Sequence, residues 1–143
     1  MNILYFIPAL RIVLGVLFIL ASSLKFPNMN GFADAVASYN IVPLRFVKLA
    51  AYVYVFIEFV VGWWILSGQY LLYGSYAGLL LIVVADLFLL KGYFQKKKVK
   101  DCGCYGVIKS PLTKRRLVEN AVLTVLFVFL VIAARAGVKA GFI

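Results

Sequence analysis

Apolar residues along this chain fall into four long blocks, with polar residues gathered between them, and the alternation of a half-buried strand is missing. The blocks cover about residues 3–24, 43–66, 70–94 and 117–134. Each supplies the roughly 20 mostly apolar residues that a helix needs to cross the hydrocarbon of a bilayer. Four segments are too few to close a barrel, and open strands in lipid would leave backbone groups unpaired, so the blocks must be helices. The pattern predicts an all-α, polytopic membrane protein: one antiparallel four-transmembrane-helix domain spanning residues 1–143. Internal repeats and low-complexity tracts are absent from the sequence.

The connections differ in character. Ser67-Gly68-Gln69 is short enough to make spans 2 and 3 an antiparallel hairpin. Between spans 1 and 2, Asn30 is placed to cap a short helix that carries Phe32, Val36 and Tyr39 on one side at helical spacing, and Pro43 restarts the chain into span 2. This segment reads as an interfacial helix lying across the mouth of the bundle. The third connection, about residues 95–116, is the longest and most basic, and it contains both cysteines. The first block contains Arg11 and lacks a basic leader, and it exceeds a typical signal-peptide core, so it reads as a retained span.

Composition agrees with the pattern. Hydrophobic residues make up 65% of the chain, against about 45–50% in soluble domains. The formal net charge is +10, but the basic residues sit at the ends of apolar blocks, as in multi-pass proteins, so the charge marks membrane borders and not a nucleic-acid surface. The third connection carries Lys96, Lys97, Lys98, Lys100, Lys109, Lys114, Arg115 and Arg116, whereas the opposite face has little beyond Arg135 and Lys139. The positive-inside rule therefore puts the cysteine connection on the cytoplasmic face of a cell membrane. Histidine is absent, which removes imidazole from any acid–base or metal scheme.

Ionisable groups within spans are costly and tend to pair or to function. Arg11 and Glu58 both come out roughly 12 Å from the face bearing the termini at 1.5 Å per residue, which predicts an intramembrane Arg11–Glu58 ion pair between antiparallel neighbours. Such pairs are often architectural. Toward the other face, Lys25, Asp86, Glu119 and Asn120 are expected to converge beneath the cysteine connection, although an acid near a helix start, such as Glu119, also suits the helix dipole alone. Trp63 and Trp64 read as interfacial belt residues, with quinone stacking as the alternative, and Gly62, Gly74 and Gly78 as sites of close helix contact.

The sequence Asp101-Cys102-Gly103-Cys104-Tyr105-Gly106 holds the chain's two cysteines. Gly103 tolerates the tight backbone that a small disulfide ring demands, and a strained ring is readily reduced. Neighbouring lysines favour the thiolate, while Asp101 opposes them. Two thiolates also suit a soft ion such as Cu(I). A closed zinc site needs four ligands and hence a second copy of the chain, a homodimer. A third reading is that the two cysteines are incidental.

The runs LRIVLGVLFILASSLKF (10–26) and FIEFVVGWWIL (56–66), followed by CGCYG (102–106) ahead of the last span, resemble the MauE/DoxX family of small four-span, redox-associated membrane proteins. The matching positions are Arg11, Gly15, Phe18, Lys25, Glu58, Gly62, Cys102, Gly103, Cys104 and Gly106, with Tyr105 where phenylalanine is expected. The resemblance covers nearly the whole chain. It implies assistance to disulfide formation, or electron supply, for extracytoplasmic proteins alongside thioredoxin-like partners, which conflicts with the cytoplasmic placement read from the lysines.

Together these readings predict a membrane thiol–disulfide oxidoreductase in which Cys102 and Cys104 exchange electrons with a thioredoxin-fold partner. Lys25, Asp86, Glu119 and Asn120 would shape a pocket beneath, and Gly103, Tyr105 and Gly106 would support the pair. One cysteine pair cannot carry electrons across a bilayer, so a quinone or another partner would take them. Two other classes remain open: a small ion or soft-metal transporter using Asp86, and a membrane assembly factor or chaperone in which the cysteines are dispensable.

Overall fold

A computed structural model describes residues 3–95 and 114–136. The described residues are helical apart from short turns, in five α-helices: α1 (Ile3–Lys25), α2 (Met29–Ser38), α3 (Val47–Ser67), α4 (Leu71–Phe94) and α5 (Lys114–Arg135). Of these, α1, α3, α4 and α5 are long and apolar enough to cross a membrane. They carry many large apolar side chains outward, among them Val13, Leu20, Phe56, Leu80, Leu87, Val125 and Ile132. A helix that is hydrophobic all round needs an apolar environment on its outer face as well as its inner one, and here lipid supplies it.

Local chemistry sets the ends of the helices. The α3–α4 hairpin expected at Ser67-Gly68-Gln69 is present: α3 stops at Gly68 in the left-handed region (φ 72°), where glycine carries no steric penalty. Trp64 then donates its indole N–H to the Gln69 carbonyl at 2.9 Å, which pins the turn. The helix expected between spans 1 and 2 is α2. Its cap, however, is Asn28, whose side chain accepts from the Gly31 N–H at 3.2 Å; Asn30 lies inside the first turn. The Pro27-containing 3-10 turn Phe26–Asn28 starts the helix two residues before the expected point. Pro43 precedes a second 3-10 turn, Leu44–Phe46, so α3 proper begins at Val47 and not at residue 43.

The spanning helices pack around the bundle in chain order, α1 most closely along α3 and α4 along α5, with lighter contacts between α3 and α4 and between α1 and α5. The α1–α3 crossing is set by two glycines. A Cβ on Gly62 would stand 2.9 Å from Ile19 Cγ1 and 3.1 Å from the Gly15 carbonyl, and one on Gly15 would stand 2.7 Å from Leu66 Cγ. Close backbone approach of this kind is how membrane helices gain van der Waals contact without a hydrophobic driving force. On the far side, Gly78 makes room for the Phe127 ring, which is fully buried.

Two apolar cores result. The larger joins Ile7, Leu10, Leu14, Phe18, Val61, Ile65, Leu71, Phe127 and Leu130 and makes the bundle solid toward the α3–α4 turn. The smaller joins Met29, Phe32, Ala33, Val47, Ala51 and Val55, where α2 lies on the start of α3. Tyr39 packs edge-on against Phe88 (5.5 Å), and Lys91 Nζ donates to the Asn40 carbonyl at 3.0 Å, tying the end of α2 to the end of α4. Between the two cores the bundle is hollow.

Candidate functional site

The hollow is a cavity of about 270 Å³ at the end of the bundle where α1 finishes and α5 begins. Helix α2 forms its roof through Phe32, Val36 and Tyr39, the side of that helix that the spacing had marked. The walls come from Phe18 and Ala21 of α1, Ala51 and Tyr54 of α3, Ala85 and Phe88 of α4, and Asn120 and Leu123 of α5. Among the described residues two charged side chains reach it, Lys25 and Glu58.

These two form a buried ion pair. Lys25 Nζ donates to Glu58 Oε2 at 2.7 Å, with the side chains 4% and 7% exposed. The ammonium also lies 5.3 Å from the centroid of Phe32 and 5.1 Å from that of Tyr54, within range of the attraction between a cation and an aromatic face. Lys25 thus has a carboxylate on one side and two rings on others. Glu58 uses one carboxylate oxygen, Oε2, toward Lys25.

The Arg11–Glu58 pair expected from depth is corrected by this geometry: Glu58 is bonded to Lys25. The depth count assumed that α1 and α3 end level with each other. The Gly15–Gly62 crossing shows that they do not. Instead, α1 runs past the α3–α4 turn, so that the buried Arg11 guanidinium lies against Gly68 and about ten residues of α3, roughly 15 Å of helix, separate it from Glu58.

Of the four groups expected to converge beneath the cysteine connection, Lys25 and Asn120 line the cavity. Asp86 is half-buried and is held across the α4–α5 seam, accepting from Thr124 Oγ1 at 2.6 Å; the same hydroxyl lies 3.0 Å from the Asn120 carbonyl. Glu119 does not join them. It accepts from Arg115 Nε and Arg116 Nη1, both at 2.9 Å, on the outside of the first turns of α5. Arginines three and four residues earlier on a helix are natural partners for it, and they also explain why α5 starts at Lys114, a turn before the expected residue 117. Cys102, Gly103, Cys104, Tyr105 and Gly106 lie outside the described residues.

Tyr54 and Thr124 were not singled out from the sequence, yet each left a signal there. Tyr54 precedes Glu58 by four residues and follows Ala51 by three, so one face of α3 carries all three. Thr124 follows Asn120 by four.

Outside the spans, burial of Tyr39 at the roof pushes its hydroxyl pKa up to about 12, so it stays protonated at any physiological pH.

A comparison with family models matched residues 1–133 to the family described as methylamine utilisation protein MauE. Searches of curated proteins and of solved structures returned no match.

Proposed function

The chain belongs to the MauE family, and from that premise we propose that it is a membrane thiol–disulfide redox protein whose Cys102–Cys104 pair exchanges with a thioredoxin-fold partner. The observation that carries this reading is positional. The family model matches residues 1–133, and the two cysteines fall in sequence between α4 and α5, whose facing ends, Phe94 and Lys114, belong to the end of the bundle that holds the cavity.

The exchange needs no group beyond the two thiols and the partner's disulfide. One cysteine thiolate attacks a sulfur of the partner disulfide; a mixed disulfide forms and the partner's other sulfur leaves as thiolate. The second cysteine then attacks the mixed disulfide, closes the Cys102–Cys104 bond and releases the partner's dithiol. Two electrons pass to the partner, and the reverse sequence returns them. Lysines flanking the pair favour the attacking thiolate. For repeated turnover in the other direction, the reduced pair must lose two electrons. A membrane-soluble quinone, which takes up two electrons and two protons, is the acceptor class that suits a protein embedded in lipid. The density of lysine and arginine around this connection favours the cytoplasmic face.

The test is trapping. Cys104→Ser, which leaves one thiol and no resolving partner, should accumulate a mixed disulfide with a thioredoxin-fold protein, visible as a dithiothreitol-sensitive mass shift of the purified chain. If neither Cys104→Ser nor Cys102→Ser gives a disulfide-linked adduct, while both retain full biological activity, the assembly-factor reading replaces this one.

A further inference from the structure

We propose that the cavity beneath α2 is the head-group site for a quinone-class molecule, with the Lys25–Glu58 pair supplying both a donor and an acceptor. The inference deepens the redox reading above and rests on it for the choice of ligand, but the cavity and its chemistry stand independently of the cysteines.

Size comes first. At about 270 Å³ the cavity lies just below the roughly 300–1,000 Å³ of small-molecule pockets. It therefore holds one substituted ring and not a whole lipid. Its polarity is equally selective. The walls are apolar and aromatic, with Tyr54, Phe32 and Phe88 among the lining side chains. Few polar groups interrupt them, the pattern by which binding pockets fix orientation.

The ion pair then identifies the chemistry of the guest. An ammonium has three N–H donors; Lys25 spends one on Glu58 and turns toward two aromatic rings, which attract it but are poor substitutes for an oxygen acceptor. Glu58 in turn bonds Lys25 through one carboxylate oxygen, Oε2, which leaves the other to accept from a guest. The site thus places an unspent donor beside an unspent acceptor in an apolar enclosure. A carbonyl oxygen takes the donor and a hydroxyl takes the acceptor, so the same pair accommodates the oxidised quinone and the reduced quinol. A buried ion pair adds little stability over apolar side chains of the same size, and an ionisable group within a span is by default functional.

The tail of such a molecule needs a way out to lipid. Ring contacts join α1 to α5, Phe6–Phe129 at 5.7 Å and Phe18–Phe127 at 5.1 Å, the second at the edge of the cavity that Phe18 lines. Beyond Phe18 both helices line the cavity, through Ala21 and Asn120. This seam is where the tail would leave.

The experiment uses the full chain in nanodiscs and two probes, a decyl-substituted benzoquinone and decylbenzene, which has a ring and tail but no oxygens. Binding is followed by titration calorimetry. The quinone should bind saturably at one site per chain and at least tenfold more tightly than decylbenzene. Ala85→Phe, which fills the cavity without touching the ion pair, should abolish the binding. Lys25→Met/Glu58→Met should erase the tenfold preference while leaving decylbenzene binding unchanged. Equal affinity for the two probes would overturn the proposal in favour of an acyl-chain site, and saturable binding indifferent to Ala85→Phe would place the ligand elsewhere. The chain carrying both Cys102→Ser and Cys104→Ser should bind the quinone as the wild type does. Binding that survives in a chain that forms no adduct with a thioredoxin-fold protein would refute the redox reading alone, and adduct formation without quinone binding would refute this inference alone.

Discussion

Breaking the Lys25–Glu58 pair from one side should be far more damaging than removing it altogether. The contact is 2.7 Å long, both side chains are almost wholly enclosed, and the walls around them are aromatic and aliphatic. Lys25→Met leaves a carboxylate with no partner in that enclosure. Removing one member of a buried pair typically costs about 3–5 kcal/mol, whereas replacing both by apolar residues of similar volume is neutral or stabilising by about 1–4 kcal/mol. Native stabilities are only about 5–15 kcal/mol, so either single substitution takes at least about a fifth of the total. Lys25→Met also forfeits the attraction of the ammonium to Phe32 and Tyr54, a further ~0.5–2 kcal/mol. The double substitution Lys25→Met/Glu58→Met should therefore be more stable than either single one, a strong departure from additivity. Reversible unfolding in mixed micelles with increasing dodecyl sulfate, followed by far-ultraviolet circular dichroism, measures all four corners of the cycle. Single substitutions that each cost less than about 1 kcal/mol, the range of exposed pairs, would show that water reaches the pair and that it is not buried.

Three further outcomes follow from other parts of the structure. Gly62→Leu puts a side chain where Ile19 and the Gly15 carbonyl already stand; it should cost about 1–3 kcal/mol as overpacking in the same unfolding assay and, by moving α1 off α3, should also diminish the Lys25–Glu58 coupling. Asp86→Asn keeps a group able to accept from Thr124 and should change stability by only about 1 kcal/mol with thiol exchange unaffected; loss of ion or metal uptake into liposomes on this substitution would instead support a transporter. Tyr39 contributes no pH dependence while its phenol is protonated in both folded and unfolded chains. Because its folded pKa is raised to about 12 by burial, stability should fall as pH rises above the ordinary phenol value of about 10 and level off once the folded pKa is passed. Tyr39→Phe should remove that component, so the two unfolding curves should run parallel below pH 9 and separate above it.

Hydropathy made the spans legible because the bilayer imposes a minimum length on each of them, and it made the α2 roof legible because Phe32, Val36 and Tyr39 recur at helical spacing. Register between helices was not legible in that way. Depth counted from the end of each apolar block treats the ends as level, and that assumption assigned Glu58 to Arg11. The register is set where α1 and α3 touch, at Gly15 and Gly62, and aligning those two positions brings Lys25 within reach of Glu58. Of the two readings open for Glu119, the local one fits its partners, Arg115 and Arg116, four and three residues earlier on the same helix. Tyr54 went unnoticed because an aromatic residue in an apolar span looks like packing until the cavity beside it is seen. The cap of α2 moved from Asn30 to Asn28 because Pro27 starts the turn early.

The proposed function stands on a reversible disulfide between Cys102 and Cys104. Equilibrating the purified chain in glutathione buffers of defined ratio, quenching with an alkylating reagent and reading the mass of the intact protein tests it most directly. Both thiols should disappear together, with the mass moving between doubly alkylated and unalkylated forms and a two-electron dependence of about 30 mV per tenfold change in ratio. A chain that remains doubly alkylated in the most oxidising buffer, or that passes through a stable singly alkylated form, would contradict it.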